Sequence, residues 1–299
     1  MTRRKRNLMA KIVDWKHIYY ERQLATEAGE RIAQAYNFST PPVDPLKIIH
    51  EERRLIHAVG DDFGDAFDGR IKYIGPRFLI CYNTRYDTWP HTGSHHSKVH
   101  FTIGHELGHY FLDEHRKILV STHTAHGSRT EFVSDSLIEQ QADCFASGLL
   151  MPSSLFRPLI NKKNFPSIDE IKKVRQSFQV SLIGTLVRWT QLSDFPCATI
   201  AVRNGVIQFG WVSEAFQRIG AYRVLRGESV EGRAFRRFSG QDPSFSKYRD
   251  GSGSGVGLNW LDYGQKRLDT VEHYFVIPYT KTIWVFLIVD ENDLSELDL

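Results

Sequence analysis

The sequence predicts an α+β protein: a helical core with a small antiparallel sheet, then a pair of helices, then a C-terminal α/β domain. Three observations carry this prediction. Apolar residues recur at helical spacing in several separate stretches, and short runs bounded by turn residues read as strands. The strands also gather in two groups, ahead of residue 98 and after residue 195, instead of alternating with helices. At 299 residues the chain is long enough for two or three compact units. Its 41% apolar and 24% charged residues are those of an ordinary globular protein.

The elements follow in order. Residues 1–20 form a basic lead-in, whose first eleven residues hold five basic side chains and no acidic one. That segment accounts for the formal net charge of +3, so nucleic-acid binding is permitted and not implied. Leu24, Ala28, Ile32, Ala33 and Tyr36 then recur at helical spacing, until Pro41, Pro42 and Pro45 interrupt them. A second helix is expected over 45–54, then a turn-rich stretch. Two strands of a hairpin, 70–73 and 77–82, flank Gly75-Pro76. Residues 87–97 read as a surface loop, 98–114 as a helix, 115–136 as a polar connection and 137–151 as a helix stopped by Pro152.

Helices over 167–178 and 181–192, joined tightly at 178–181, resemble a helix-turn-helix. They read either as a DNA contact or as two helices that simply pack. From Phe195 the pattern changes. Strands 198–202 and 206–210 flank Asn204-Gly205, a strong hairpin signal, and a helix is expected over 213–225. Residues 251–257, rich in Gly and Ser, read as a flexible linker, and 273–278 with 282–289 as antiparallel strands. Three widely spaced cysteines, Cys81, Cys144 and Cys197, contain no Cys-x-x-Cys pair, which fits a reducing compartment. The start of the chain lacks the apolar stretch of a signal peptide, and the longest apolar run, 283–289, is too short to span a bilayer. The expected location is the cytoplasm.

The chemistry is concentrated in His105-Glu106-Leu107-Gly108-His109. Histidines four apart on a helix lie one turn from each other and can offer two imidazole nitrogens to one ion. On a helical wheel with Ile103 at zero, Leu107, Tyr110 and Phe111 fall within about 80° of it, whereas His105 and His109 fall at about 200° and 240°. The helix therefore has a core face and a metal face. A catalytic Zn2+ takes three protein ligands and keeps a fourth position for water.

Two residues compete for the third place. His115 stands six after His109, but Leu112 favours a continuous helix, which would carry His115 about 9 Å along the axis. Glu139 heads a helical stripe with Ala142, Ala146 and Leu150, whose small residues let that helix come close. Asp143, one turn after Glu139, is placed to accept from the outer N–H of a ligating histidine.

With Phe101-Thr102-Ile103-Gly104-His105-Glu106-Leu107-Gly108-His109 and Glu139-x-x-Ala142-Asp143-x-Phe145-Ala146-x-x-Leu149-Leu150-Met151-Pro152, the chain resembles the ImmA/IrrE family of metallopeptidases over residues 24–192. The resemblance implies a zincin-like peptidase core, a helix-turn-helix-like unit behind it and, as in some members, a C-terminal GAF-like sensory domain. It divides the chain into a lead-in (1–20), a peptidase domain (21–160), a helical unit (161–194) and a C-terminal α/β domain (195–299). It also implies His105, His109 and Glu139 as metal ligands and Glu106 as catalytic base. The best-understood members cleave a DNA-binding repressor, often of the helix-turn-helix class, in response to DNA damage or a related signal. Two departures stand out. Gln141 occupies a position where many members are acidic, and residues 87–97 are rich in histidine, with His91, His95 and His96.

The expected reaction is zinc-assisted peptide hydrolysis, with Glu106 taking a proton from water and passing it to the leaving amine. Tyr82, His123 and His126 border the expected cleft as candidate oxyanion donors, and sequence does not choose among them. An extended substrate would add itself beside the edge of strand 77–82. Two rival readings remain open: a DNA-binding regulator with a structural or vestigial zinc site, and a ligand-sensing module in which residues 195–299 do the main work.

Overall fold

A computed structural model describes residues 3–87, 95–122, 124, 126–128, 136–161, 165–221, 223–241, 245–262 and 268–289, with the backbone alone for 3–16. They form two compact units, one of residues 1–155 with 177–181, the other of 156–176 with 182–299. Among the described residues, no helix is long and apolar enough to cross a membrane.

The first unit opens with α1 (Arg3–Ala35), so that the basic lead-in and the periodic stretch after it are one helix. Helix α2 (Pro45–Glu51) starts where the Asp44 side chain accepts from Leu46 N–H and Pro45 presets the first turn. Strands β1 (Ile56–Asp61), β2 (Gly69–Ile74) and β3 (Arg77–Asn83) follow, then α3 (Ser97–Phe111), α4 (Asp113–Thr122), β4 (His126–Ser128) and α5 (Leu137–Leu150).

The sheet order is β1-β3-β2-β4. The hairpin of β2 and β3 forms as its turn signal predicts, and β4 joins β2 antiparallel with Gly69 opposite Ser128. Strand β1, which lies in the stretch read as turns, pairs parallel with β3. This placement corrects the substrate-edge expectation: β3 is interior, hydrogen-bonded on both sides, and has no edge to offer a peptide. The edges among the described strands are β1 and β4.

Ile71, Phe78 and Ile80 from the sheet, Ile103, Leu107 and Tyr110 from α3, Ile48 from α2 and Phe145 from α5 make one apolar core. The α3 residues in it are those of the predicted core face. Helix α5 is held between α1 and α3 through small residues. A Cβ on Gly108 would stand 3.2 Å from Ala142 Cα, and one on Gly104 3.4 Å from Ala146 Cβ, so glycines of one helix sit on alanines of the other.

After α5 come α6 (Ser153–Ile160), α7 (Ile168–Phe178) and α8 (Leu182–Leu192), most of whose residues belong to the second unit. Both predicted helices form, with Gln179 in the left-handed region (φ 54°) making the joint tight. Eight of the eleven residues of α8 are buried, and Thr190 and the Leu186 carbonyl are hydrogen-bonded to Thr199 of β5 (Cys197–Arg203). Strand β6 (Val206–Val212), α9 (Glu214–Arg218), α10 (Arg233–Ser239), β7 (Arg249–Val256), β8 (Asp269–Ile277) and β9 (Thr282–Val289) complete an antiparallel sheet of order β6-β5-β9-β8-β7.

Two expectations change here. The helix expected over 213–225 is a short one, Glu214–Arg218, capped by Ser213. The Gly/Ser-rich run is no linker but most of β7, paired with β8 from Arg249 to Val256. Its glycines are explained by what they face. A Cβ at Gly251 would stand 2.9 Å from the Phe238 ring, one at Gly253 2.7 Å from Ala234 Cβ, and one at Gly255 would run into the Glu272 carboxylate. Glycine in this strand reflects close approach, which composition alone presents as flexibility.

Candidate metal centre

Helix α3 begins where His96 turns its ring back to accept from Lys98 N–H, and it places His105, Glu106 and His109 among the buried residues of the first unit. Glu139 comes from the first turn of α5. One ligand atom from each of His105, His109 and Glu139 lies within 4.8 Å of the others, a group able to hold a metal ion. The Nε2 atoms of the two histidines are 3.1 Å apart, and the Glu139 oxygens approach them at 3.4 and 3.6 Å.

The outer faces of both rings are occupied. His105 Nδ1 is 2.8 Å from Asp143 Oδ1, the partner expected one turn after Glu139. His109 Nδ1 is 3.1 Å from His115 Nδ1. Both Nε2 atoms face the shared point, and two imidazoles with a carboxylate are a donor set that suits a divalent ion.

The electrostatics fit the same arrangement. Burial opposes charge on His105, but hydrogen bonds to Asp143 and Glu139 overrule it and push its pKa up to about 10. Burial, reinforced by His105 and His126, drives His109 well below the usual imidazole value and keeps it neutral. Burial also opposes charge on Glu139, yet the bonds from His105 and His126 hold it well below the ordinary carboxylate range.

Glu106 is fully buried. Its Oε1 accepts from the Ser128 hydroxyl at 2.5 Å, and its Oε2 has no hydrogen-bond partner among the described residues. Burial pushes its pKa up to about 7 against the pull of His105 and of the Ser128 bond. An unpartnered buried carboxylate oxygen costs free energy unless something polar is delivered to it.

Of the candidate oxyanion donors, the structure brings His126 to the group, with Nε2 2.6 Å from Glu139 Oε1 and its ring 4.5 Å from that of His109. Tyr82 instead packs its ring over Gly60 and against His95. His123 lies outside the described residues, as does His91. His95 is paired with Asp87 at 2.6 Å, His96 caps α3 and His100 is buried, so these three are built into the entry to the helix.

Residues 94–190 match the family model of the IrrE N-terminal-like domain, peptidase M78. This stretch of the chain is similar to an IrrE N-terminal-like domain. A solved structure described as a Mycobacterium tuberculosis transcriptional regulator is similar with a TM-score of 0.55 at 12% identity, covering 92% of this chain and 78% of that one. At that identity the likeness is one of fold. No curated protein matches the chain.

Around this group, three features were missed by sequence reasoning. Ser128 reaches Glu106 only because β4 pairs with β2. Gly69 leaves the space in which Glu106 sits, since a Cβ there would stand 2.6 Å from Thr102 Cγ2 and nearer still to Glu106 Oε1. The third is His115. Helix α3 does not continue through Leu112, whose backbone is extended (ψ 116°), and a new helix starts at Asp113 with two acidic residues in its first turn. The expected displacement along one axis is therefore wrong. His115 folds back against the outer face of His109, with ring centroids 5.0 Å apart. The signal was present in Asp113-Glu114, a helix start favoured by the dipole, which outweighed the helix propensity of Leu112.

Proposed function

We propose that this protein is a zinc-dependent endopeptidase that hydrolyses a peptide bond in a regulatory protein of the cytoplasm, a helix-turn-helix transcriptional repressor being the substrate class that the family resemblance favours. The observation that carries the proposal is the pairing of a convergent His105–His109–Glu139 group with a buried Glu106 whose Oε2 is unpartnered. Zinc bound there supplies a Lewis acid for the scissile carbonyl and an acidified water.

The chain's own groups supply the rest. Ser128 holds Glu106 Oε1, so the free Oε2 is the atom that accepts a proton from water and returns it to the leaving amine. Burial raises the pKa of this carboxylate and so makes it a stronger base than an exposed one. His126 stands at the rim of the group with Nε2 on Glu139 Oε1, and it would serve a developing oxyanion by turning that N–H from the carboxylate once Glu139 holds the ion. The burial of α8 weighs against the rival in which the paired helices enter a DNA groove, since a recognition helix must expose the face that reads bases.

The test compares wild type with Glu106→Gln for zinc content and for cleavage of a co-expressed candidate repressor. Zinc retained with cleavage lost is the expected result. Equal cleavage by the two proteins would remove Glu106 as base, and full zinc in His105→Ala would remove the ligand set.

A further inference from the structure

Two imidazoles can share an ion only if each presents a bare nitrogen to it, which at this site is Nε2, so each neutral ring must carry its proton on Nδ1. At His105 this is decided by direct contact, because the Asp143 carboxylate accepts and Nδ1 must donate. Among the described residues no carboxylate reaches Nδ1 of His109. Its neighbour is the ring of His115, which is 3% exposed and can either donate or accept.

The choice is made further out. Gln141, two residues after Glu139 on α5, lies between His115 and α1. Its amide nitrogen donates to Glu21 Oε2 at 3.0 Å, and its Oε1 is 3.1 Å from His115 Nε2. A carboxylate only accepts, so the NH2 group of Gln141 must face Glu21 and its oxygen must face His115. His115 must then donate from Nε2, which leaves its Nδ1 bare. His109 must donate to that atom from its own Nδ1, and its Nε2 is left bare toward Glu139 and His105. The opposite assignment at every link would turn the Gln141 oxygen onto the Glu21 carboxylate, placing two acceptors face to face.

We propose that Glu21, Gln141 and His115 are positioning residues, a hydrogen-bonded chain from helix α1 that sets the tautomer of His109 and so prepares its Nε2 for the metal. The proposal rests on the reading of His105, His109 and Glu139 as the metal group. It gives α1, which carries no ligand, a part in the site. It also gives His115 a role other than coordination, because its ring touches His109 on the side opposite the shared point. The two ligating histidines are set by different devices: His105 by one carboxylate in contact, His109 by one carboxylate three hydrogen bonds away.

The experiment uses the full chain in four forms: wild type, Gln141→Met, Glu21→Met, and the double variant Glu21→Gln with Gln141→Glu. Zinc affinity is measured by competition with a chromophoric chelator, and the imidazole 15N signals of the metal-free proteins report which nitrogen of His109 carries the proton. Wild type is expected to show His109 protonated at Nδ1. Gln141→Met, which keeps the length of the side chain and removes both polar atoms, is expected to populate both tautomers and to bind zinc about 10- to 100-fold more weakly.

The double variant Glu21→Gln with Gln141→Glu exchanges donor and acceptor across the bond between α1 and α5 and keeps an acceptor on His115 Nε2, so it is expected to restore the single tautomer and most of the affinity, a recovery that a merely space-filling role would not show. Glu21→Met, at a half-buried position on α1, is expected to shift both readouts in the same direction as Gln141→Met, and it decides the matter if that variant fails to fold. Unchanged zinc affinity with an unchanged His109 signal in the Met variants overturns the proposal and leaves the peptidase reading intact. Cleavage persisting in Glu106→Gln would do the reverse.

Discussion

Gly29 of α1 carries no functional group and lies in no site, yet its replacement by alanine is expected to damage the metal centre. A Cβ at Gly29 would stand 2.7 Å from Leu149 N and closer still to Phe145 O, both backbone atoms of α5, whereas ordinary contact begins at 3.4 Å. The obstacle is backbone and cannot swing aside, so the two helices must part by at least about 0.7 Å over the crossing. In isolation the substitution would favour a helix by ~1 kcal/mol. Overpacking a tight core costs ~1–3 kcal/mol, and a rigid obstacle places this case at or beyond the upper end. The net expectation is a loss of ~2 kcal/mol, which with a urea dependence of ~1–3 kcal/mol per molar moves the unfolding midpoint down by about 1 M. Because α5 also carries Glu139 and Asp143, zinc affinity measured by chelator competition should fall with it. Gly104→Ala is the control, since its Cβ would meet Ala146 at 3.4 Å with no backbone collision; it should be neutral or stabilising by up to ~1 kcal/mol. Gly29→Ala as stable as wild type, with unchanged zinc affinity, would refute the claim that α1 and α5 are held in backbone contact.

Other outcomes follow from the same contacts. Ser128→Ala removes the donor to Glu106 Oε1, and losing a hydrogen bond to a charged group, worth ~1.5–3 kcal/mol, should lower cleavage at least about tenfold while zinc content stays that of wild type. Gly69→Ala should abolish cleavage with zinc retained, because the added methyl occupies the place of the Glu106 carboxylate; a crystal structure with Glu106 unmoved would contradict it. In the second unit, His273 donates from Nε2 to the Pro166 carbonyl at 2.8 Å and takes Ser252 Oγ at Nδ1 at 2.7 Å, and burial holds its pKa below the usual 6.5 against the pull of the Pro166 bond. A depressed pKa means stability that is complete above about pH 6.5 and is lost as the pH falls through the folded-state value, by at most ~1.4 kcal/mol per pH unit. Wild type should therefore lose more thermal stability than His273→Gln between about pH 7.5 and about pH 5.5; equal losses would show that His273 is not the group responsible.

The metal helix was legible in the sequence because its information is local. Four-residue spacing of His105 and His109, an apolar stripe at 3.6-residue periodicity and small residues on the facing helix each express geometry that a helix imposes on its own residues. Glu139 and Asp143 could be found for the same reason, once a second helix was assumed to lie against the first. The paired helices α7 and α8 and the hairpin at Asn204-Gly205 were likewise written in nearest neighbours.

What depended on distant partners was not legible. Strand β1 has no turn-bounded alternation and exists because β3 offers it a parallel edge. The glycines of β7 look like a linker until Phe238, Tyr274 and Glu272 are seen to need the space. Sequence by itself determined which residues could hold a metal, because coordination spacing is a property of one helix. Only the tertiary structure decided how that metal site is prepared: Ser128 beside Glu106, Gly69 beneath it, and Glu21 connected through Gln141 and His115 to His109. Each of those contacts joins elements far apart in the chain. Its existence follows from strand pairing and helix packing, which side-chain periodicity permits but does not specify.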